Sequence, residues 1–336
     1  MTTPTVTETE EPRVDSFHRL GYSVPEGASP REAMEMAHML NWNVRKLPLD
    51  GIKLLDTDGV YKTTTVPQKY AAVRTNPFTG EMEALGTVGR VWQPFQNEDS
   101  IDLLQDIVDE SGGQVSTLGV LGEGRSTFIS MKLPAHMEFI SPIDGSKDVT
   151  DLYIALFNHH DGNGALKGVV TPLRISCANM QRMATETAKG SFSLRHTTSA
   201  RVRLAEVRSV LNLTFKYRDT YVEQCQRLIG KQMDEDAVFA QVRAVFDVNE
   251  PEITERVKNA RIQTSAKVLE LYRTSPSVAP FKGTAYGVYN AVTEYADHYS
   301  KVSRKGDANG MRAVRSIADS WVNDLKGKAF TMLLPA

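Results

Sequence analysis

The feature that most constrains this chain is a change of pattern near residue 200. Before it, short β-rich segments alternate with turn signals; after it, strand signals vanish and apolar residues recur every three or four positions. In the first part, Tyr70-Ala71-Ala72-Val73-Arg74 lies between the turn pairs Asp58-Gly59, Asn76-Pro77 and Thr79-Gly80. Strands are predicted at 114–121, 126–133 and 151–157, the first two joined by a Gly122-Glu123-Gly124 turn and the last two by a proline-rich connection. A further strand passes through Val169, Val170, Pro172 and Ile175. Two helices interrupt this antiparallel text. One starts at Ser29-Pro30 and is predicted over 30–48, burying Ala33, Met36, Leu40 and Trp42. The other is capped by Asn97 or Ser100, buries Ile101, Leu104, Ile107 and Val108, and stops at Gly112-Gly113.

Beyond 200, Leu204, Val207, Leu211, Thr214, Arg218, Tyr221, Cys225 and Leu228 form a heptad-like stripe on one long helix. Helical patterns follow at about 234–247, 250–274, 284–304 and 308–327. The expectation is an α+β protein: an N-terminal half built as a small antiparallel sheet with packed helices, and an all-helical C-terminal half. It divides into an acidic, Thr-rich disordered tail (1–17), an α+β domain (18–199) and a helical domain (200–336).

At 336 residues the chain can bury a sizeable core. The two cysteines, Cys177 and Cys225, are no disulfide framework and fit a reducing cytosol. The N-terminus has neither a basic start nor an apolar stretch, and no apolar run long enough to span a bilayer occurs. A cytoplasmic protein without membrane association is expected.

The formal net charge of −2 says nothing about partners, but its distribution does. From Arg174 to Arg218 nine basic residues stand against two acidic ones, leaving the remainder strongly acidic. A concentrated basic band in an otherwise acidic protein suits local binding of a polyanion, because phosphate contacts supply most non-specific affinity. Phe192, Phe215 and Tyr217 lie within it and could stack on unpaired bases. The competing reading is a solvated helix face whose arginines pair with neighbouring acids.

Other constellations carry less chemistry. His159, His160 and Asp161 crowd into Asn158-His159-His160-Asp161-Gly162-Asn163-Gly164 and are weak candidates for a metal half-site. Adjacent histidines on an extended chain point to opposite faces, and Asp-Gly with Asn-Gly is what a turn needs for positive φ, so a structural turn is the reading to test first. Gly119-Val120-Leu121-Gly122-Glu123-Gly124-Arg125 and Gly86-Thr87-Val88-Gly89-Arg90 lack the Gly-Lys-Ser/Thr ending and the following helix of a phosphate loop, so no nucleotide cofactor is expected. Cys177 could be a nucleophile with His159, His160 or His196 as base, yet nothing in the spacing demands it. Asp106, Asp109 and Glu110 read as a solvated helix face.

Several strings taken together resemble the phage/plasmid-like protein family, a domain family of unknown function carried by phages, prophages and plasmids. They are Leu20-Gly21-Tyr22, Asn76-Pro77, Leu85-Gly86-Thr87-Val88-Gly89, Gln96-Asn97, Asn158 to Gly162 and Thr171-Pro172-Leu173-Arg174-Ile175-Ser176-Cys177-Ala178-Asn179. The late segment Gly283 to Thr293 with Asp297-His298 is similar to that family's C-terminal signature. The resemblance spans about residues 18–325 and implies a mobile-element protein acting on DNA. Strand-annealing proteins of the Rad52-like kind offer an analogy of architecture only.

The leading expectation is therefore a single-stranded-DNA-binding protein, a homo-oligomer that anneals strands in recombination or replication and needs no hydrolysis. Arg174, Arg182, Arg195, Arg201 and Arg203 would meet phosphates, with Phe192 or Tyr217 stacking. One alternative is an interaction or regulatory protein that docks a host or phage partner through the stripe at 204–228. Another is a metal-dependent nucleic-acid hydrolase using His159, His160 and Asp161.

Overall fold

The structure, a computed structural model, describes residues 17, 20–51, 54–55, 57, 59–174, 179–180, 191–196, 219–301 and 320–335. Its centre is an antiparallel sheet in the order β1-β7-β8-β9-β10-β11, with β12 also paired to β10. These strands are β1 (Tyr22–Ser23), β7 (Gln114–Leu121), β8 (Ser126–Ile140), β9 (Lys147–His159), β10 (Leu166–Arg174), β11 (Asn179–Met180) and β12 (Ser191–Leu194). A three-stranded sheet, β2-β5-β6, lies beside it, formed by β2 (Arg45–Asp50), β5 (Thr65–Thr75) and β6 (Met82–Gly89); β3 (Leu54–Leu55) and β4 (Tyr61–Lys62) pair separately.

Strand β9 shows why the large sheet is central. Its side chains alternate between faces, and both faces are covered. Leu152, Ile154 and Leu156 enter the main core, while Tyr153, Ala155 and Phe157 form a second cluster with Phe128 and Phe17. Phe17 is the one described residue of the expected tail; it is fully buried, its ring 5.8 Å from Tyr153 and 6.0 Å from Phe128.

The expected turn at 122–124 is present, with positive φ at all three residues. Strand β8, by contrast, does not end at 133. It continues to Ile140 through Pro134, because the register slips between Lys132 and His136 and a bulge absorbs the proline.

The helix expected over 30–48 is shorter, α1 (Pro30–Met36), capped reciprocally by Ser29 and Glu32. His38, Asn41 and Asn43 all take positive φ, which ends the helix and turns the chain into β2. The residues it buries are therefore Pro30, Ala33 and Met34, with Met39 and Trp42 following from the loop. Helix α2 (Ile101–Ser111) stops where expected, at Gly112 with φ 68°, after a 3₁₀ turn at Asn97–Ser100; Ser100 makes no side-chain cap, and the fully buried residues are Leu103, Leu104 and Ile107, with Ile101 and Val108 half-buried.

The second half is helical as the periodicity predicts: α3 (219–230), α4 (Glu235–Val245), α5 (Glu255–Thr274), α6 (Ala285–Glu294) with a π turn at Tyr295–Tyr299, and α7 (Ser320–Leu333). Helix α7 ends later than the 327 suggested by pattern. Every residue of α6 is buried. Gly287 is required there, since a Cβ would strike the Phe281 carbonyl. Thr284 caps α6 through the Gly287 N–H, 3.1 Å away.

Helix α6 also joins the two halves. Tyr286 packs on Phe139 of β8 at 5.5 Å, the Ser141 hydroxyl donates to the Pro280 carbonyl at 2.7 Å, and α6 runs beside β11. One continuous buried cluster accordingly extends from Ala33 to Leu333. Within it, Lys326 donates to Asp297 at 2.5 Å, and Glu294 accepts from Ser275 and Ser277. The described part of the heptad-like stripe, Tyr221, Cys225 and Leu228, is buried inside this cluster, with Tyr221 stacked on Phe330 at 5.7 Å. That part forms no open docking face. Residues 204–218 lie outside the described residues.

Candidate functional site

The histidine turn meets the small sheet at Gly86. A Cβ there would be driven into the Asp161 backbone, so only glycine lets β6 and the turn touch. The turn is itself held by its own side chains: Asp161 Oδ1 accepts from the Asn163 N–H and Oδ2 from the Asn163 side-chain amide, each at 2.9 Å, and Gly162 takes φ 82°.

His159 and His160 diverge, as adjacent residues at a strand end must. His159 Nδ1 lies 2.8 Å from the Ser126 hydroxyl. Burial lowers the pKa of His159. Asp161 accepts from Asn163, and among the described residues no carboxylate is hydrogen-bonded to this serine-histidine pair. His160 turns inward. Its Nε2 is 3.0 Å from Asn97 Oδ1, its ring packs on Trp42 at 5.6 Å, and it has no exposed surface. An amide oxygen only accepts, so the proton sits on Nε2.

Around His160 lies a buried polar network. Asn97 donates to the Met39 carbonyl at 2.9 Å and accepts from Thr127; Asn158 donates to the Phe95 carbonyl at 3.1 Å. The Arg74 guanidinium sits 4.2 Å from the centre of the Trp42 ring and is held by Glu83 at 2.9 Å, while Asn76 also donates to Glu83 at 2.6 Å. Burial, with the Arg74 and His196 charges nearby, pushes the His160 pKa down to about 3. Asn76, Gly86, Gln96-Asn97 and Asn158 to Gly162, separate in sequence, thus meet in one place. Neither histidine is placed to ligate a metal with Asp161: among the described residues no group of three or more His, Cys, Asp or Glu could hold one.

Above this network opens a groove of about 410 Å³. It is lined by Thr87 to Gly89, Val91 and Trp92, by Gly162 to Ala165, and by Arg195 and His196. The 90–92 segment is fastened by Lys46, whose ammonium donates to the Arg90 carbonyl at 2.7 Å and the Trp92 carbonyl at 2.8 Å. The Gln93 N–H donates to the His196 carbonyl at 3.0 Å, and the Trp92 and His196 rings stack at 5.7 Å and 22°. Phe95 meets His196 edge-on at 6.5 Å. His196 is 4% exposed, and desolvation draws its pKa down to about 4, leaving it neutral at pH 7. Arg90, Lys167 and Arg195 are exposed around this region.

Of the residues predicted to meet nucleic acid, Arg195 lines the groove. Arg174 ends β10 and Phe192 pairs with Gly168 through the backbone in β12. Arg182, Arg201, Arg203 and Tyr217 lie outside the described residues, as does Cys177. Trp92 and the glycines of the groove were not singled out as a site by sequence, and His196 only as a possible base for Cys177. The signals were present in the Gly86 to Arg90 string, set aside because it was no phosphate loop, and in His196 beside Arg195.

A family model for a domain of unknown function, DUF932, matches residues 84–321. No curated protein and no solved structure matches the chain.

Proposed function

Because this chain belongs to the DUF932 family, whose function is undefined, its function has to be read from the groove, and we propose that the protein binds single-stranded DNA there. The observation that carries this reading is that an exposed arginine from the basic band, Arg195, lines one groove with two aromatic residues, Trp92 and His196, whose rings stack on one another. Cationic groups at a rim and flat rings beneath are the two elements that sequence-tolerant strand binding uses. The exposed Arg90 and Lys167 add positive charge nearby, and the band from Arg174 to Arg218 supplies more from the same stretch of chain.

The setting we propose is that of a phage/plasmid-like protein, working as a homo-oligomer that anneals strands in recombination or replication. The resemblance in sequence supports the mobile-element part of this reading. The test is fluorescence anisotropy of labelled single-stranded and double-stranded oligonucleotides at two salt concentrations with no added metal. Tight, salt-sensitive binding that prefers single strands is expected. No binding at low salt refutes the proposal, and equal affinity for duplex removes its single-strand element.

A further inference from the structure

In an asparagine followed by glycine, side chain and main chain react with one another readily, because glycine has no Cβ to crowd its own backbone nitrogen. The chain holds two such pairs, Asn163-Gly164 and Asn309-Gly310, and the second lies outside the described residues. At the first, three observations coincide. Asn163 is exposed and lines the groove that Arg195 also lines. Among the described residues nothing accepts a hydrogen bond from the Gly164 N–H, although the Asn163 N–H just before it is held by Asp161 at 2.9 Å. Gly164 is also fixed by the fold, since a Cβ there would meet the His159 ring at 2.4 Å, so the turn keeps the residue that makes its neighbour reactive. We infer that Asn163-Gly164 is a self-modification site, at which the turn slowly converts its own amide into a carboxylate within the groove; the consequence for strand binding rests on the reading above.

The reaction needs only water. The Gly164 nitrogen attacks Cγ of Asn163, forming a C–N bond and closing a succinimide ring. The Cγ–Nδ2 bond breaks, and the side-chain nitrogen leaves as ammonia with the proton lost by the Gly164 N–H. Water then adds to one of the two ring carbonyls and opens the ring. Opening at Cγ gives aspartate; opening at the main-chain carbonyl gives isoaspartate, in which the backbone runs through Cγ. Nothing is oxidised or reduced. Either product carries a negative charge where a neutral amide stood, and the hydrogen bond that this amide donates to Asp161 Oδ2 at 2.9 Å gives way to repulsion between two carboxylates. Asp161 is the residue whose backbone meets β6 at Gly86, so the repulsion falls where the turn and the small sheet touch. The new charge shares the groove with Arg195 and opposes an anionic strand there.

The test follows the full chain, fresh and after incubation at neutral pH, by peptide mapping with mass spectrometry and by enzymatic methylation of isoaspartate. The peptide carrying Asn163 should gain the mass of an amide-to-acid exchange and acquire isoaspartate. Asn163→Gln, whose longer side chain has a larger and slower ring to close, should leave that peptide unchanged. Anisotropy of a labelled single-stranded oligonucleotide is read on the same samples. Affinity of the parent should fall with the converted fraction, while Asn163→Gln should keep its own fresh value. Fresh Asn163→Asp should bind about tenfold more weakly than the fresh parent, the scale of one like charge within about a Debye length of a phosphate. Its thermal midpoint shows whether it folds, and the aged parent gives the same comparison without a substitution. An Asn163 peptide that stays unconverted overturns the site, and conversion at Asn309 in the same sample shows that the conditions sufficed. Conversion with affinity unchanged keeps the site and overturns its effect on the groove, while strand binding stands. A fresh parent that binds no strand overturns the strand reading, and the mass measurement still decides the site by itself.

Discussion

Lowering the pH from 8 to 5 should cost this protein about 4 kcal/mol through two histidines alone. In the folded chain His160 is held down to a pKa of about 3 and His196 to about 4, against 6.5 for an unperturbed imidazole. The unfolded chain therefore takes up protons below pH 6.5 that the folded chain refuses. The stabilisation is fully present above pH 6.5 and is lost as the pH falls toward the folded values, at about 1.4 kcal/mol per pH unit for each group. At pH 5, about 1.5 units below the unfolded pKa, each histidine accounts for about 2 kcal/mol, a large part of a total stability of about 5–15 kcal/mol. Urea unfolding at pH 8 and pH 5 measures the loss. Carboxylates also titrate at the acid end, so the decisive quantity is a difference between proteins: His160→Gln and His196→Phe should each lose about 2 kcal/mol less than the parent between the two pH values. Gln at 160 retains a donor for Asn97, which limits other damage. If both variants lose as much as the parent, the two imidazoles are not held neutral by burial, and the reasoning fails.

Other perturbations test the close approach beside the groove and the buried ion pair of the helical half. Gly86→Ala sets a methyl against the Asp161 backbone, with main chain on both sides and no flexible side chain to yield, so it should cost about 1–3 kcal/mol and weaken strand binding as the turn is pushed away; an unchanged thermal midpoint would show that the two backbones do not meet there. Lys326→Met leaves Asp297 charged, both side chains being 1% exposed in the parent, and should cost about 3–5 kcal/mol. The double variant Lys326→Met/Asp297→Leu should recover most of that loss in the same denaturation assay, and failure to recover would mean that the ion pair is not the origin of the cost.

Sequence pattern revealed the fold class and most element centres because burial imposes a period. Strand β7, the turn at 122–124 and helix α2 could be placed almost to the residue, each having a period and a stop signal of its own. The helix from Ser29 was overextended because its apolar residues continue at helical spacing to Trp42, while the positive φ of His38, Asn41 and Asn43 leaves no periodic trace. Strand β8 was cut short for the opposite reason: Pro134 reads as a breaker, and only the register against β9 reveals the bulge that accommodates it. The groove was not legible, because its walls come from strings about 70 and 100 residues apart, Gly86 to Trp92, Gly162 to Ala165 and Arg195-His196. Each is unremarkable alone. What joins them is a close approach at Gly86, a Gln93 to His196 backbone bond and a Lys46 clamp, none of which follows from spacing.

On the strand-binding proposal, this groove would separate two contributions to affinity that a basic band alone would merge. Arg195 is exposed and charged, so its contribution would come through displaced counterions and depend on salt; Trp92 and His196 are neutral at pH 7, so theirs would not. Arg195→Ala should therefore reduce the slope of log affinity against log salt by about 0.7, one single-strand phosphate contact, and should act alike on intact and abasic strands. His196→Leu, which removes one of the two stacked rings, should lower affinity for the intact strand at every salt concentration and leave the slope where it was. A titration series at four salt concentrations distinguishes the two. If both variants flatten the slope equally, His196 carries charge in the complex; if neither changes anything, the strand passes elsewhere along the basic band and the groove is not its path.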